Sequence, residues 1–185
     1  MHTKKNGVKR ILIIMGAWPE LDTDIEADLD LTELDELISN DDPVFEPLKT
    51  IAGDIKKAIE NGTKRGVLEL AKRNVSWQEE FINTNCDNPS GMLASSITYT
   101  GSEYSYTTGT RINDIYPMSI EYGHKEIVPV RAKALAFYYD GELIFRKRVR
   151  KTEPRPFVAP AYERTDKVAD ELIVREIGHA GINWD

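Results

Sequence analysis

The sequence predicts an α+β domain: a long helix, continuous or broken near Asn61-Gly62, packed on an antiparallel sheet of about four to six strands and followed by a C-terminal helix. An extended acidic N-terminal arm precedes it, so residues 1–46 read as a docking extension and residues 47–185 as the folded α+β domain. Three observations carry this reading. Apolar residues recur at helical spacing after Pro47, first as Leu48, Ile51, Ile55 and Ile59 and then as Val67, Leu70, Ala71 and Val75. Between Ser96 and Val149, runs rich in β-branched and aromatic residues are separated by Gly and Pro. From about Pro160 to Ile177 a second helical pattern places Ala161, Val168, Leu172 and Ile173 on one side.

Length and composition set bounds. A chain of 185 residues is about one domain long and buries a core sufficient to fold unaided. Cys86 is the single cysteine, which excludes an intramolecular disulfide and fits a reducing compartment. It has no basic neighbour to lower its pKa and reads as an incidental thiol. The apolar run Ile11-Leu-Ile-Ile-Met15 is too short to span a bilayer and reads as a strand or docking segment, so no membrane partner is expected. A net charge of −7 argues against a general polyanion binder, but the charge is unevenly spread. Every charged residue from Glu20 to Glu46 is acidic, whereas Arg146, Lys147, Arg148, Arg150 and Lys151 form a basic block.

Taken in order, Met1 to Arg10 is polar, basic and frayed. Asp22, Asp24, Glu26, Asp28 and Asp30 alternate with Leu21, Ile25, Leu29 and Leu31, a pattern suited to docking on another surface. Thr32 and Asp35 resemble a helix start, so Glu33 to Ile38 reads as a short helix before the Asp41-Asp42-Pro43 loop. The main helix starts near Pro47, which suits a first turn. Gly62 and Gly66 threaten it, since a mid-helix glycine costs about 1 kcal/mol relative to alanine. It resumes from Thr63 to about Phe81.

Asn88-Pro89-Ser90-Gly91 turns the chain, with Gly91 in a backbone conformation costly for other residues. Strands are expected over Ser96–Tyr99, Tyr104–Thr108 and Tyr116–Tyr122. Asp140-Gly141 supplies a two-residue hairpin turn that pairs Leu135–Tyr139 with Leu143–Val149. Pro154-Arg155-Pro156 ends the sheet, Pro160 opens the last helix and Gly178 closes it.

Chemistry-bearing patterns are few. Asp22-x-Asp24-x-Glu26, with Glu33 eleven residues after Asp22, approximates a calcium loop, but its sixth position is Ala27 where such a loop turns on Gly. A solvated or partner-docking acidic arm is the better reading. Glu121 and His124 could form an acid–base pair or part of a metal site, yet no further His lies near. A loop turned by Gly123 explains them as well. Ser95 and Ser96 lack a nucleophile-elbow context, and no phosphate-binding glycine pattern or zinc spacing occurs. No catalytic residue, metal or cofactor is therefore assigned, and the chain is read as a non-enzyme. The tyrosines at 99, 104, 106, 116, 122, 138 and 139 read as half-buried sheet residues rather than base-stacking platforms. Arg146, Arg148 and Arg150 alternate and would project from one face of a strand. That stripe suits carboxylates on a neighbouring subunit, above all the acidic arm, or DNA phosphates.

Glu121-Tyr122-Gly123-His124, Pro129, Ala132-Lys133-Ala134-Leu135-Ala136-Phe137, Gly141, Phe145 and Pro156-Phe157-Val158-Ala159-Pro160-Ala161 follow one another in a recognisable order. Upstream, Ser90-Gly91-Met92-Leu93-Ala94-Ser95-Ser96-Ile97 matches a Thr-Gly-x-Leu-x-x-Ser-Ile element with Ser in place of Thr. Together these stretches resemble the small tail-component family of long-tailed bacteriophages, which sits at the neck or tail-completion position in head–tail joining. The likeness runs from roughly Pro47 to the C-terminus, and the N-terminal extension departs from the family pattern. The resemblance implies a structural virion protein of the head–tail connector, assembled in the host cytoplasm as a homo-oligomeric ring. Its implied partners are other neck, portal-side and tail-tube or tail-terminator proteins, with passing contact with DNA. A nucleic-acid-binding module using Arg146 to Lys151 is the alternative.

Overall fold

The structure, a computed structural model, describes residues 8–15, 21–86, 91–112, 115–130, 133–139 and 142–180. Its order is β1 (Val8–Met15), β2 (Thr23–Leu29), α1 (Thr32–Ile38), a 3₁₀ turn (Pro43–Phe45), α2 (Glu46–Asn85), α3 (Met92–Ser96), β3 (Ile97–Ser102) and β4 (Ser105–Thr110). Then come α4 (Ile115–Tyr122), β5 (Leu135–Tyr139), β6 (Glu142–Arg146) and α5 (Val158–His179). The class is α+β. The strands form two antiparallel sheets rather than one: a four-stranded sheet in the order β1-β2-β4-β3 and the separate β5-β6 hairpin.

Helix α2 is the spine, 40 residues long and therefore about 60 Å at 1.5 Å per residue. It does not break at Asn61-Gly62. The glycines are there for helix α5, which runs antiparallel along α2. A Cβ on Gly62 would lie 2.3 Å from Ile177 Cα, and one on Gly66 would lie 2.8 Å from Ile173 Cγ1. The two backbones thus approach more closely than any side chain at Gly62 permits, and the packing gained outweighs the propensity lost. A Cβ on Gly53, in the same helix, would meet no atom of another element within 4 Å among the described residues. Gly178 lies in the last turn of α5, which runs on to His179 instead of ending at Ile177.

The N-terminal segment is not a free arm. Thr23, Ile25 and Ala27 are buried while Glu26 and Asp28 are exposed, the alternation of a half-buried strand. β2 lies between β1 and β4, paired Ile25↔Ile13 and Ile25↔Tyr106. Ile25 and Ala27 pack with Val67, Leu70, Ala71, Ala169, Leu172 and Ile173 in one core cluster. The surface this segment docks on is its own domain, and a boundary at residue 46 divides that core. β1 likewise starts at Val8, inside the stretch read as frayed.

A second cluster holds Leu21, Ile82, Leu93, Ala94, Ile97, Ile120, Phe157 and Val158 at the far end of α2. Between the two clusters runs a buried polar seam. Asn74 Nδ2 donates to Thr165 Oγ1 at 2.8 Å, and Asn74 Oδ1 accepts from Gln78 Nε2 and Thr108 Oγ1, each at 2.7 Å. This ties α2, α5 and β4 in one register, since a buried polar group left unmatched is costly. Tyr99 and Tyr106 meet edge to face, centroids 5.9 Å apart, against the first cluster. Thr63, fully buried in α2, is an exception: its hydroxyl has no hydrogen-bond partner among the described residues. Thr63→Val keeps the shape and removes that cost, so the midpoint of chemical denaturation should rise by an amount equivalent to about 1 kcal/mol.

Residues 115–122 form a helix, not the expected strand. Pro117, Ile120 and Glu121 are buried at i, i+3 and i+4, and a proline is tolerated in a first turn.

Candidate functional site

Glu121 sits at the end of α4 with 4% exposure. Its Oε2 accepts from the backbone N–H of Phe157 at 2.6 Å and of Val158 at 3.0 Å, and Oε1 accepts from Ala159 N at 3.2 Å. These are orphan donors at the start of α5, where the helix dipole also favours a negative charge. The carboxylate is a cap supplied from a distant element. His124 faces elsewhere: its Nδ1 lies 2.8 Å from Lys125 O, and among the described residues it makes no hydrogen bond to Glu121. The acid–base pair weighed from the sequence is therefore not assembled. Gly123, with φ of 68°, lets the chain turn where a Cβ would lie 2.5 Å from Thr152 O. His124 and Thr152 then exchange backbone hydrogen bonds at 2.9 Å each. Gly91, φ 66°, turns the chain into α3. Pro156 is exposed just before the start of α5, and Pro160 lies in its first turn.

From this root, the described residues between 123 and 155 project as a protrusion. β5 and β6 pack on each other and on no other element to a comparable extent. The register pairs Leu135↔Arg146, Ala136↔Phe145 and Phe137↔Ile144. The turn residues Asp140 and Gly141 lie outside the described residues. The second strand ends at Arg146 rather than continuing to Val149, and the chain bends at Lys147. Only isolated bridges follow, Ile127↔Val149 and His124↔Thr152. Arg146, Arg148 and Arg150 are all exposed, but a single pleated strand does not carry them as one stripe. Arg148 pairs with its neighbour Glu126 at 3.2 Å. Apolar groups stand among these charges: Phe145 is 60% exposed and Val130 92%, joined by Leu143, Ile127 and Val128.

The acidic residues divide in two. Asp22 lies against Gly109, whose missing side chain leaves room for its carboxylate. Asp24 accepts from Thr107 Oγ1 at 2.6 Å across the β2–β4 ladder. Glu26 and Asp28 are exposed on the sheet, and Asp30 accepts from the Thr32 hydroxyl at 2.9 Å. Among the described residues, no hydrogen bond or ion pair joins Asp22, Asp24, Glu26, Asp28 or Asp30 to Arg146, Arg148 or Arg150 within one chain: Asp24 is held by Thr107 and Arg148 by Glu126. The denser acidic surface is α1, the 3₁₀ turn and the start of α2, with Asp35, Glu36, Asp41, Asp42 and Glu46 exposed. Asp35 pairs with Lys56, whose ammonium is held above its ordinary pKa first by that hydrogen bond. Here too apolar side chains are uncovered: Val44 is 77% exposed, Leu48 46% and Ile51 40%. Leu48 and Ile51, two of the apolar residues that recur at helical spacing, are exposed.

Among the described residues no group of three or more His, Cys, Asp or Glu could hold a metal ion, and no helix is long and apolar enough to cross a membrane. No known family model, curated protein or solved structure matches this chain.

Proposed function

We propose that the chain is a structural, non-enzymatic virion protein of the head–tail connector of a tailed bacteriophage, a neck or tail-completion subunit that works as part of a ring. The observation that carries this reading is the protruding segment 123–155. It is a two-stranded hairpin with apolar and basic groups exposed and little contact with its own domain, and such hairpins are marginal unless another surface covers them. The ordered motifs around Tyr122-Gly123-His124 and Pro156-Phe157-Val158 at its two ends support the same reading by resemblance. A ring subunit needs distinct surfaces for its two neighbours, and the molecule exposes large apolar side chains both at the start of α2 and on the segment rooted near its far end. Disrupting the gene in a phage that encodes it tests the role. The expected result is DNA-filled heads and finished tails that remain unjoined. Fully joined, infectious particles would refute it.

The exposed Arg146, Lys147, Arg148, Arg150 and Lys151 keep one second reading in play, a nucleic-acid-binding module. It predicts duplex binding whose affinity falls steeply with salt, and loss of that binding when these residues are replaced.

A further inference from the structure

The two uncovered ends match each other. Between Asp28 and Glu46 the chain has eight carboxylates and no lysine or arginine, and between His124 and Arg155 it has nine lysines and arginines against four carboxylates. Each end also exposes large apolar side chains, Val44, Leu48 and Ile51 at the acidic one and Phe145, Leu143 and Val130 at the basic one. Leu48 and Ile51 stand at i and i+3, a stripe at the start of α2, and Val44 precedes them in the 3₁₀ turn. We infer that these are the two halves of one heterologous self-contact: the β5–β6 hairpin of one copy, with the segment from Lys147 to Lys151 that follows it, seats on the α1–α2 corner of the next.

Among the described residues, a single chain does not make this contact with itself. The acidic corner is at the start of α2, where Lys56 pairs with Asp35. The protrusion is rooted at the other end, where Arg155 N donates to Ile120 O at 2.8 Å and Ile120 packs with Ile82. From Leu48 to Ile82 the helix rises about 50 Å. β5 and β6 make no comparable contact with α1 or α2 of their own chain. An end-to-end contact between unlike patches propagates from copy to copy, closing into a ring where the rotation allows. The apolar stripe supplies the buried centre and the charges set register and partner choice. This names the partner surface within the ring reading above and rests on it.

Charge reversal tests the pairing on the full chain. One variant carries Arg146→Glu and Arg150→Glu, the other Glu36→Lys and Asp41→Lys; all four positions are exposed and remote from both core clusters. Far-ultraviolet circular dichroism confirms that both keep the fold. In native mass spectrometry and sedimentation at low salt, wild type forms oligomers, and each variant alone associates at least tenfold more weakly. Mixing the two variants restores association, because an acidic hairpin then meets a basic corner at every second interface and a native pair meets at the others. Monomeric wild type at tens of micromolar, variants that associate like wild type, or a mixture that stays apart would each overturn the inference. A monomeric wild type that binds duplex DNA, with binding lost in Arg146→Glu/Arg150→Glu, would also overturn it and assign the basic end to nucleic acid. Failure here with joining defects still present in the gene disruption removes this interface and leaves the connector role standing.

Discussion

Gly62→Ala destabilises the protein by about 2 kcal/mol, although alanine is the better helix former by about 1 kcal/mol. The added Cβ falls 2.3 Å from Ile177 Cα and 2.7 Å from Ile177 N, backbone atoms that yield only if α5 moves away from α2. That shift loosens the contact of Ile173 and Leu172 with Val67 and Leu70, the centre of the first cluster. Gly53→Ala is the matched control. It lies in the same helix, has no atom of another element within 4 Å of the new Cβ among the described residues and should gain about 0.5–1 kcal/mol. Urea unfolding with an unchanged m-value reads both effects. If Gly62→Ala stabilises the chain as Gly53→Ala does, the close packing of α2 and α5 is refuted.

Glu121→Ala costs about 2–3 kcal/mol. It removes a buried carboxylate that accepts three backbone N–H groups of Phe157, Val158 and Ala159 and leaves those donors at the start of α5 without it. Glu121→Gln retains oxygen on one side only and loses the charge that complements the helix dipole, so it falls between wild type and Ala. Thermal unfolding measured for the three proteins should rank them in that order. A Glu121→Ala protein as stable as wild type would mean that the carboxylate does not hold α4 to α5.

Much of this fold was legible in the sequence because its signals are local. The 3.6-residue recurrence after Pro47, the strands around Tyr99 and Tyr106, and the run from Pro160 to Ile177 depend on neighbours a few residues away. The features that were not legible depend on partners far along the chain. Gly62 and Gly66 look like helix breakers until Ile177 and Ile173 are seen against them. The alternation of Thr23, Ile25 and Ala27 with Asp24, Glu26 and Asp28 is a strand pattern, but the acidic charge made it resemble a solvated arm; its burial is set by Leu70 and Leu172. Pro117, Ile120 and Glu121 carry the helical spacing of α4, masked by the aromatic and β-branched residues around them. Among the candidate contacts, Arg146, Arg148 and Arg150 are exposed as expected of a surface site. The exposed carboxylates are densest not on β2 but at the α1–α2 corner, with Asp35, Glu36, Asp41, Asp42 and Glu46 uncovered. Period and charge alone cannot show that Val44 and Leu48 are left exposed.

Electron microscopy of virions carrying a tag on this chain tests the central proposal most directly. A structural connector subunit predicts gold label or added density as a ring between head and tail, one per particle. Particles without label at that position, or label confined to cell lysate after the virions are purified, would contradict it.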